Sequence, residues 1–231
     1  MLMKRMLLFA VLAGIAAGTA GCKQQDAPKL DRQAVRLYVG DQVRITADRP
    51  VAWSAADDFY AAVDADGTVT ARHVGTTTVT ATADSGSAVC TVEVQPRYDT
   101  FEEPLYNYLS LHPLSVLKEA ETREILEEND KEIIYKGEQP LTKIRYELVY
   151  LDELPLVHTA VAYIASTAYW EECVAFMSER YVWQNNQNKP DYICSWFNMK
   201  NADRIAYVVY TDATAPYVWV VYPGTGGYQN N

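Results

Sequence analysis

The sequence predicts two folded units behind an apolar leader: an all-β sandwich, then an α+β domain with an antiparallel sheet and helices on one face. Three observations predict this. Residues 35–95 are short alternating runs broken by Gly and Asp, with no helical period. After residue 98, two helix-forming stretches are each followed by three strand-like runs. The charge is also divided. Residues 1–97 balance 10 acids against 10 bases, while the remainder holds 20 Asp and Glu against 10 Lys and Arg.

The N-terminus reads as an export signal. Lys4 and Arg5 precede an apolar run from Met6 to Ala17, too short for the roughly 20 residues that span a bilayer. Small residues follow, then a polar stretch begins at Lys23. Thr19-Ala20-Gly21-Cys22 resembles the lipobox of bacterial lipoproteins, with Thr19 where that family has Leu. The resemblance implies cleavage before Cys22, a diacylglycerol thioether on Cys22 and a further acyl chain on its amino group. Several acyl chains hold a membrane far better than one, each buried methylene contributing about 0.8 kcal/mol. By the same family's sorting pattern, Lys23 implies the outer membrane. The expected organisation is a signal peptide over 1–21, a lipidated tether over 22–34, the sandwich over 35–95, the α+β domain over 98–223 and a tail over 224–231.

Within the sandwich, Gly40-Asp41 and Asp66-Gly67 mark turns between β-branched runs. Val51-Ala52-Trp53-Ser54, Ala62-Val63-Asp64, Gly67-Thr68-Val69-Thr70-Ala71, Gly75-Thr76-Thr77 and Cys90-Thr91-Val92 follow in order. This succession resembles the bacterial Ig-like domain of group 2. The resemblance implies a spacer in surface and adhesion proteins. Trp53 is expected between the sheets, Gly67 and Gly75 at positive φ, and Cys90 in the core. Asp57, Asp58, Asp64 and Asp66 lack the spacing of a dedicated calcium loop, and Asp64 and Asp66 have turn roles.

In the second unit, one helix is expected over Pro113 to Glu128 and another over Ala168 to Tyr181, capped by Ser166-Thr167. The expected strands are Glu132–Tyr135, Thr142–Leu151 and Leu156–Ile164, then Asp191–Asn198, Arg204–Thr211 and Tyr217–Tyr222. The order is an αβββ unit used twice, and in order alone it resembles the β-lactamase-inhibitor-like fold.

Catalysis finds no support in the sequence. There is no GxSxG, P-loop or GxGxxG, and no Cys/His cluster of metal-binding spacing. Glu171 and Glu172 are adjacent on a helix and read as ordinary first-turn acids. Cys173 with His158 as nucleophile and base has nothing to place the two together. No cofactor or metal is expected. Cys173 and Cys194 are either a helix-to-strand disulfide or two buried hydrophobes. The acidic C-terminal half argues against nucleic acid or anionic lipid as its ligand. Of 17 tyrosines, 15 follow residue 97, with four of the five tryptophans. Alternation puts Tyr207, opposite the Ala206, Val208 and Tyr210 face, on the outer side of the sheet; Tyr207 and Trp219 are the candidates for a binding face suited to protein or glycan, or for aromatic core. The functional expectation is a lipid-anchored envelope binding or adhesion protein attached to the membrane through Cys22. The alternative is a periplasmic assembly or inhibitor-like factor.

Overall fold

A computed structural model describes residues 26–109, 112–188, 192–198, 205–211 and 217–224. Cys22, the leader and the tail beyond 224 lie outside the described residues.

The first unit is a two-sheet sandwich. Its strands are β1 (Ala34–Tyr38), β2 (Gln42–Arg44), β3 (Ala52–Ala55), β4 (Ala61–Val63), β5 (Thr68–Ala71), β6 (Gly75–Ala83) and β7 (Gly86–Gln95). One sheet runs β1-β7-β6-β3 and the other β2-β5-β4, with β1 parallel to β7 and the remaining pairs antiparallel. Period-two alternation turns Val69, Ala71, Val79, Cys90, Val92 and Val94 inward. Trp53 packs against this cluster as expected. Gly67 is required where it stands: φ is +84°, and a Cβ there would collide with the Ile45 carbonyl and come within 2.9 Å of the Trp53 ring. Asp64 Oδ1 accepts the backbone N–H groups of Asp66 (3.2 Å) and Thr68 (2.8 Å), which is the turn role expected of it. Leu30 also packs against the core, and Lys29 and Asp31 hydrogen-bond the Thr46–Asp48 stretch. The last part of the expected tether therefore belongs to the sandwich.

The second unit begins with a two-residue strand, β8 (His112–Pro113), and α1 (Leu114–Ala120). Then come β9 (Ile125–Glu128), β10 (Glu132–Lys136), β11 (Leu141–Leu151) and β12 (Leu154–Ile164). After α2 (Trp170–Arg180), the pattern repeats with β13 (Val182–Asn188), β14 (Tyr192–Asn198), β15 (Ile205–Thr211) and β16 (Val218–Tyr222). Each unit is thus αββββ, with one strand more than the sequence predicts. The sheet order is β13-β14-β15-β16-β12-β11-β10-β9, with β8 beside β12, so the two units meet at the antiparallel β16–β12 pair.

Both corrections fall on the sheet edges. The first helix stops at Ala120, because Glu121 turns extended and its buried carboxylate engages Tyr146 and Arg123. The following Ile125–Glu128, good helix formers, become edge strand β9: tertiary contacts override propensity. Strand β13 reads VWQNNQN, polar amides without apolar alternation. Ser166 caps as expected, accepting the Ala168 N–H at 3.2 Å in the 3-10 turn that leads into α2.

Both helices lie on one face of the sheet. Leu114 and Leu117 of α1 and Cys173, Phe176 and Met177 of α2 share one cluster with Ile133, Tyr135, Ile144, Tyr146, Ala160, Ala162, Val220 and Tyr222. Those sheet residues are in mutual register, so they occupy one face.

The end of α2 joins the modules. The buried Glu179 carboxylate accepts the backbone N–H groups of Arg97 (2.9 Å) and Tyr98 (3.0 Å), while its carbonyl accepts the Val74 N–H at 2.8 Å. Arg97 reaches back to Asp41 and to the Val39 carbonyl.

Candidate binding surface

The face opposite the helices is where the aromatic expectation is tested. Register places Trp219 across from Tyr163 on β12 and Val209 on β15, with Lys143 beyond Tyr163 and Cys194 beyond Val209. The adjacent row holds Trp196, position 207, Val221, Val161, Arg145 and Ile134. By register, position 207 therefore shares the helix-free face with Trp219. Neither row includes a member of the helix-side cluster.

Around Tyr163 the geometry is specific. Its ring lies 6.1 Å from that of Trp219 and 5.9 Å, edge-on, from that of Tyr217. Lys143 Nζ sits 4.8 Å and the Arg145 guanidinium 5.8 Å from the Tyr163 centroid, both within cation–π range. Arg145 is also paired with Glu147 at 2.6 Å and with Glu132 at 3.7 Å. Burial raises the Tyr163 phenol above its usual range, partly offset by Arg145. Trp219 is half-buried, and its indole N–H is buried without an acceptor among the described residues. The result is a half-buried aromatic strip beside buried Ile134, Val161 and Val221, edged by the paired Arg145 and by Lys143, which has no ion-pair partner among the described residues. Stacking on an apolar ring face or donation from the lysine is the chemistry it offers. Lys143 and Arg145 were missed in the sequence. The signal for them is their i, i+2 spacing, which puts both on one face of β11.

The cysteine expectation resolves against a disulfide. Cys173 and Cys194 are both free and buried. Cys173 lies in the helix-side cluster, whereas Cys194 lies on the opposite face, with the sheet between them. The reading as two buried small hydrophobes is the one the fold contains. Burial pushes each thiol up to about 12, so neither offers a thiolate at neutral pH. His158 Nδ1 meets Thr159 Oγ1 at 2.8 Å. Glu172 accepts the Thr100 hydroxyl at 3.0 Å and Glu171 is exposed, both in the first turn of α2. Among the described residues, no group of three or more His, Cys, Asp or Glu is placed to hold a metal ion. No helix among them is long and apolar enough to cross a membrane.

Residues 24–94 match the bacterial Ig-like domain (group 2) profile, and this segment is a domain of that type. The match begins before residue 35, in keeping with the docking of Leu30. No curated protein matches the chain. Among solved structures, "Titin Ig tandem domains A164-A165" is similar over 89% of this chain and 85% of its own, at 10% identity and a TM-score of 0.25. The chain thus holds a bacterial Ig-like domain over residues 24–94 adjoining an α+β domain, a two-module architecture consistent with protein interaction.

Proposed function

We propose that the chain is a lipid-anchored cell-envelope binding protein. Cys22 carries the lipid, the Ig-like module is a spacer, and the α+β domain recognises a protein or glycan on its helix-free face. The observation that carries this reading is the Trp219–Tyr163 pair with Lys143 and Arg145 on a sheet face that neither helix covers. Rigid aromatic side chains give large contact area at low entropic cost, and tyrosine and tryptophan recur in binding surfaces for that reason.

The test combines location with binding. Palmitate labelling is expected for the native chain and lost in Cys22→Ser. Persisting label in the variant overturns the anchor. Protease shaving of intact cells is expected to strip the α+β domain. Protection until the outer membrane is opened points instead to the periplasmic assembly or inhibitor-like role. For the face itself, glycan arrays and envelope-protein arrays are probed with native protein, Trp219→Ala, Tyr207→Ala and Lys143→Ala, each checked for its fold by circular dichroism. Folded variants that keep every interaction of the native protein overturn the face.

A further inference from the structure

The β11–β12 hairpin outruns its neighbours. Strand β10 pairs with β11 only over residues 143–147, and β8 pairs with β12 only at Leu156 and Val157. Residues 149–154 therefore project as a two-stranded arm, closed by Asp152 and Glu153. Four large apolar side chains on this arm are exposed: Val149 (36%), Tyr150 (51%), Leu151 (61%) and Leu154 (48%). Pairing of Val149 with Leu156 and of Leu151 with Leu154 puts these on one face of the arm, with Tyr150 on the other. An isolated two-stranded ribbon is only marginally stable, and clustered exposed apolar side chains mark contact sites.

The turn shows what kind of contact. Asp152 (φ 47°) and Glu153 (φ 68°) are the non-glycine residues at positive φ among those described. A two-residue hairpin turn of this hand favours Asn-Gly, so two acids occupy a position that glycine would relax. Neither has an ion-pair partner among the described residues. Leu148 N–H donates to the Lys131 carbonyl at 2.7 Å, which brings Asp130 and Lys131 to the base of the arm. Two acids without an ion-pair partner among the described residues therefore close the tip of the apolar arm, with Asp130 and Lys131 at its base, on a half of the chain with twice as many acids as bases.

We infer that this arm docks a partner-protein segment in which apolar side chains are flanked by Lys or Arg. Charge selects that occupant. A second copy would bring the same acids face to face, and an anionic lipid surface would repel the tip. A basic-flanked apolar segment satisfies both the patch and its rim. Along β11, Val149 and Leu151 continue the face that carries Lys143 and Arg145, but lie beyond the Trp219–Tyr163 strip at the end of the hairpin.

The experiment uses the full chain on an array of random peptides, with native protein compared against Leu151→Ser/Leu154→Ser and Asp152→Lys/Glu153→Lys. Both double variants change exposed residues at the end of the hairpin, Leu151 and Leu154 being its last ladder pair, and circular dichroism verifies their fold. The expected result is enrichment of apolar peptides flanked by Lys or Arg. Affinity should fall at least about tenfold in each double variant and weaken with added salt. Absence of arm-dependent peptide binding overturns the inference, as does binding without a basic preference. Sedimentation and flotation with phosphatidylcholine/phosphatidylglycerol vesicles supply two further outcomes. A dimer, or vesicle binding, that is lost in Leu151→Ser/Leu154→Ser replaces the peptide with a second copy or a membrane and likewise overturns it.

Discussion

The two modules fill their interiors with different chemistry. The Ig-like core is aliphatic and small: Ile45, Ala61, Val69, Ala71, Val79, Cys90, Val92 and Val94. The α+β core buries Tyr135, Tyr146, Tyr181 and Tyr222 beside Phe101, Phe176 and Phe197. Buried hydroxyls need partners, and two carboxylates serve them. Tyr146 donates to Glu121 at 3.0 Å and accepts the Leu105 N–H at 2.8 Å. Tyr181 and Tyr222 donate to Glu103 at 2.6 and 2.7 Å, with Arg180 3.9 Å from the same carboxylate. The first core is held by non-directional burial and by a few turn positions. The second couples three of these four hydroxyls, those of Tyr146, Tyr181 and Tyr222, to a named acid, so its sensitivities lie in polar atoms.

The largest break in that comparison is expected at a turn of the Ig-like module. Gly67→Val forces a β-branched side chain into positive φ against Ile45 and Trp53, and about 3 kcal/mol or more of stability should be lost. Denaturant unfolding with separate probes for the two modules checks it; an unchanged Ig-like transition contradicts the assignment. Next is Tyr146→Phe, which leaves the Glu121 carboxylate and the Leu105 N–H each short of a partner. A loss of about 2 kcal/mol in the α+β transition is expected. Tyr135 is the contrast within the same core. Its buried hydroxyl has no partner among the described residues, so Tyr135→Phe should cost little or stabilise.

A subtler distinction is pH dependence. Burial raises the Glu103 carboxyl, an effect opposed in part by the hydrogen bonds from Tyr181 and Tyr222 and by Arg180. The folded state therefore binds this proton at higher pH than the unfolded chain. Its stabilising contribution is complete below the unfolded value and fades as pH rises through the folded one. Acidification from neutral pH should stabilise the α+β domain through this group, with a slope no steeper than about 1.4 kcal/mol per pH unit. Thermal melts across mildly acidic pH should show that contribution vanish in Glu103→Gln. An identical slope in the variant assigns the proton elsewhere. The smallest effect is expected at Glu171, an exposed first-turn acid, where alanine should change stability by about 0.5 kcal/mol or less.

The same contrast explains how legible each module is in the sequence. Gly67, Trp53, Asp64 and the strand runs act through local backbone demands and period-two burial, which the order of residues displays. Glu121 and Val182 do not announce themselves. The first ends a helix only because Tyr146 and Arg123 meet it from elsewhere, and the second opens an edge strand of amides that lacks alternation. The helix-free face was half legible. Alternation indicates the outer side for Tyr207, but its sharing a face with Trp219 and the convergence of Lys143 and Arg145 on Tyr163 depend on which strands become neighbours.

The parallel pairing of β1 with β7 has a mechanical meaning. The chain joins the Ig-like module through Lys29–Asp31, runs on through β1 and leaves at the end of β7, and residues 34–38 lie alongside 91–95 in the same direction. Any tension applied between the two ends of the module would act along both strands. Their hydrogen bonds would be loaded together in shear instead of parting one at a time. Glu179, gripping the chain just after β7, would pass that load directly into α2.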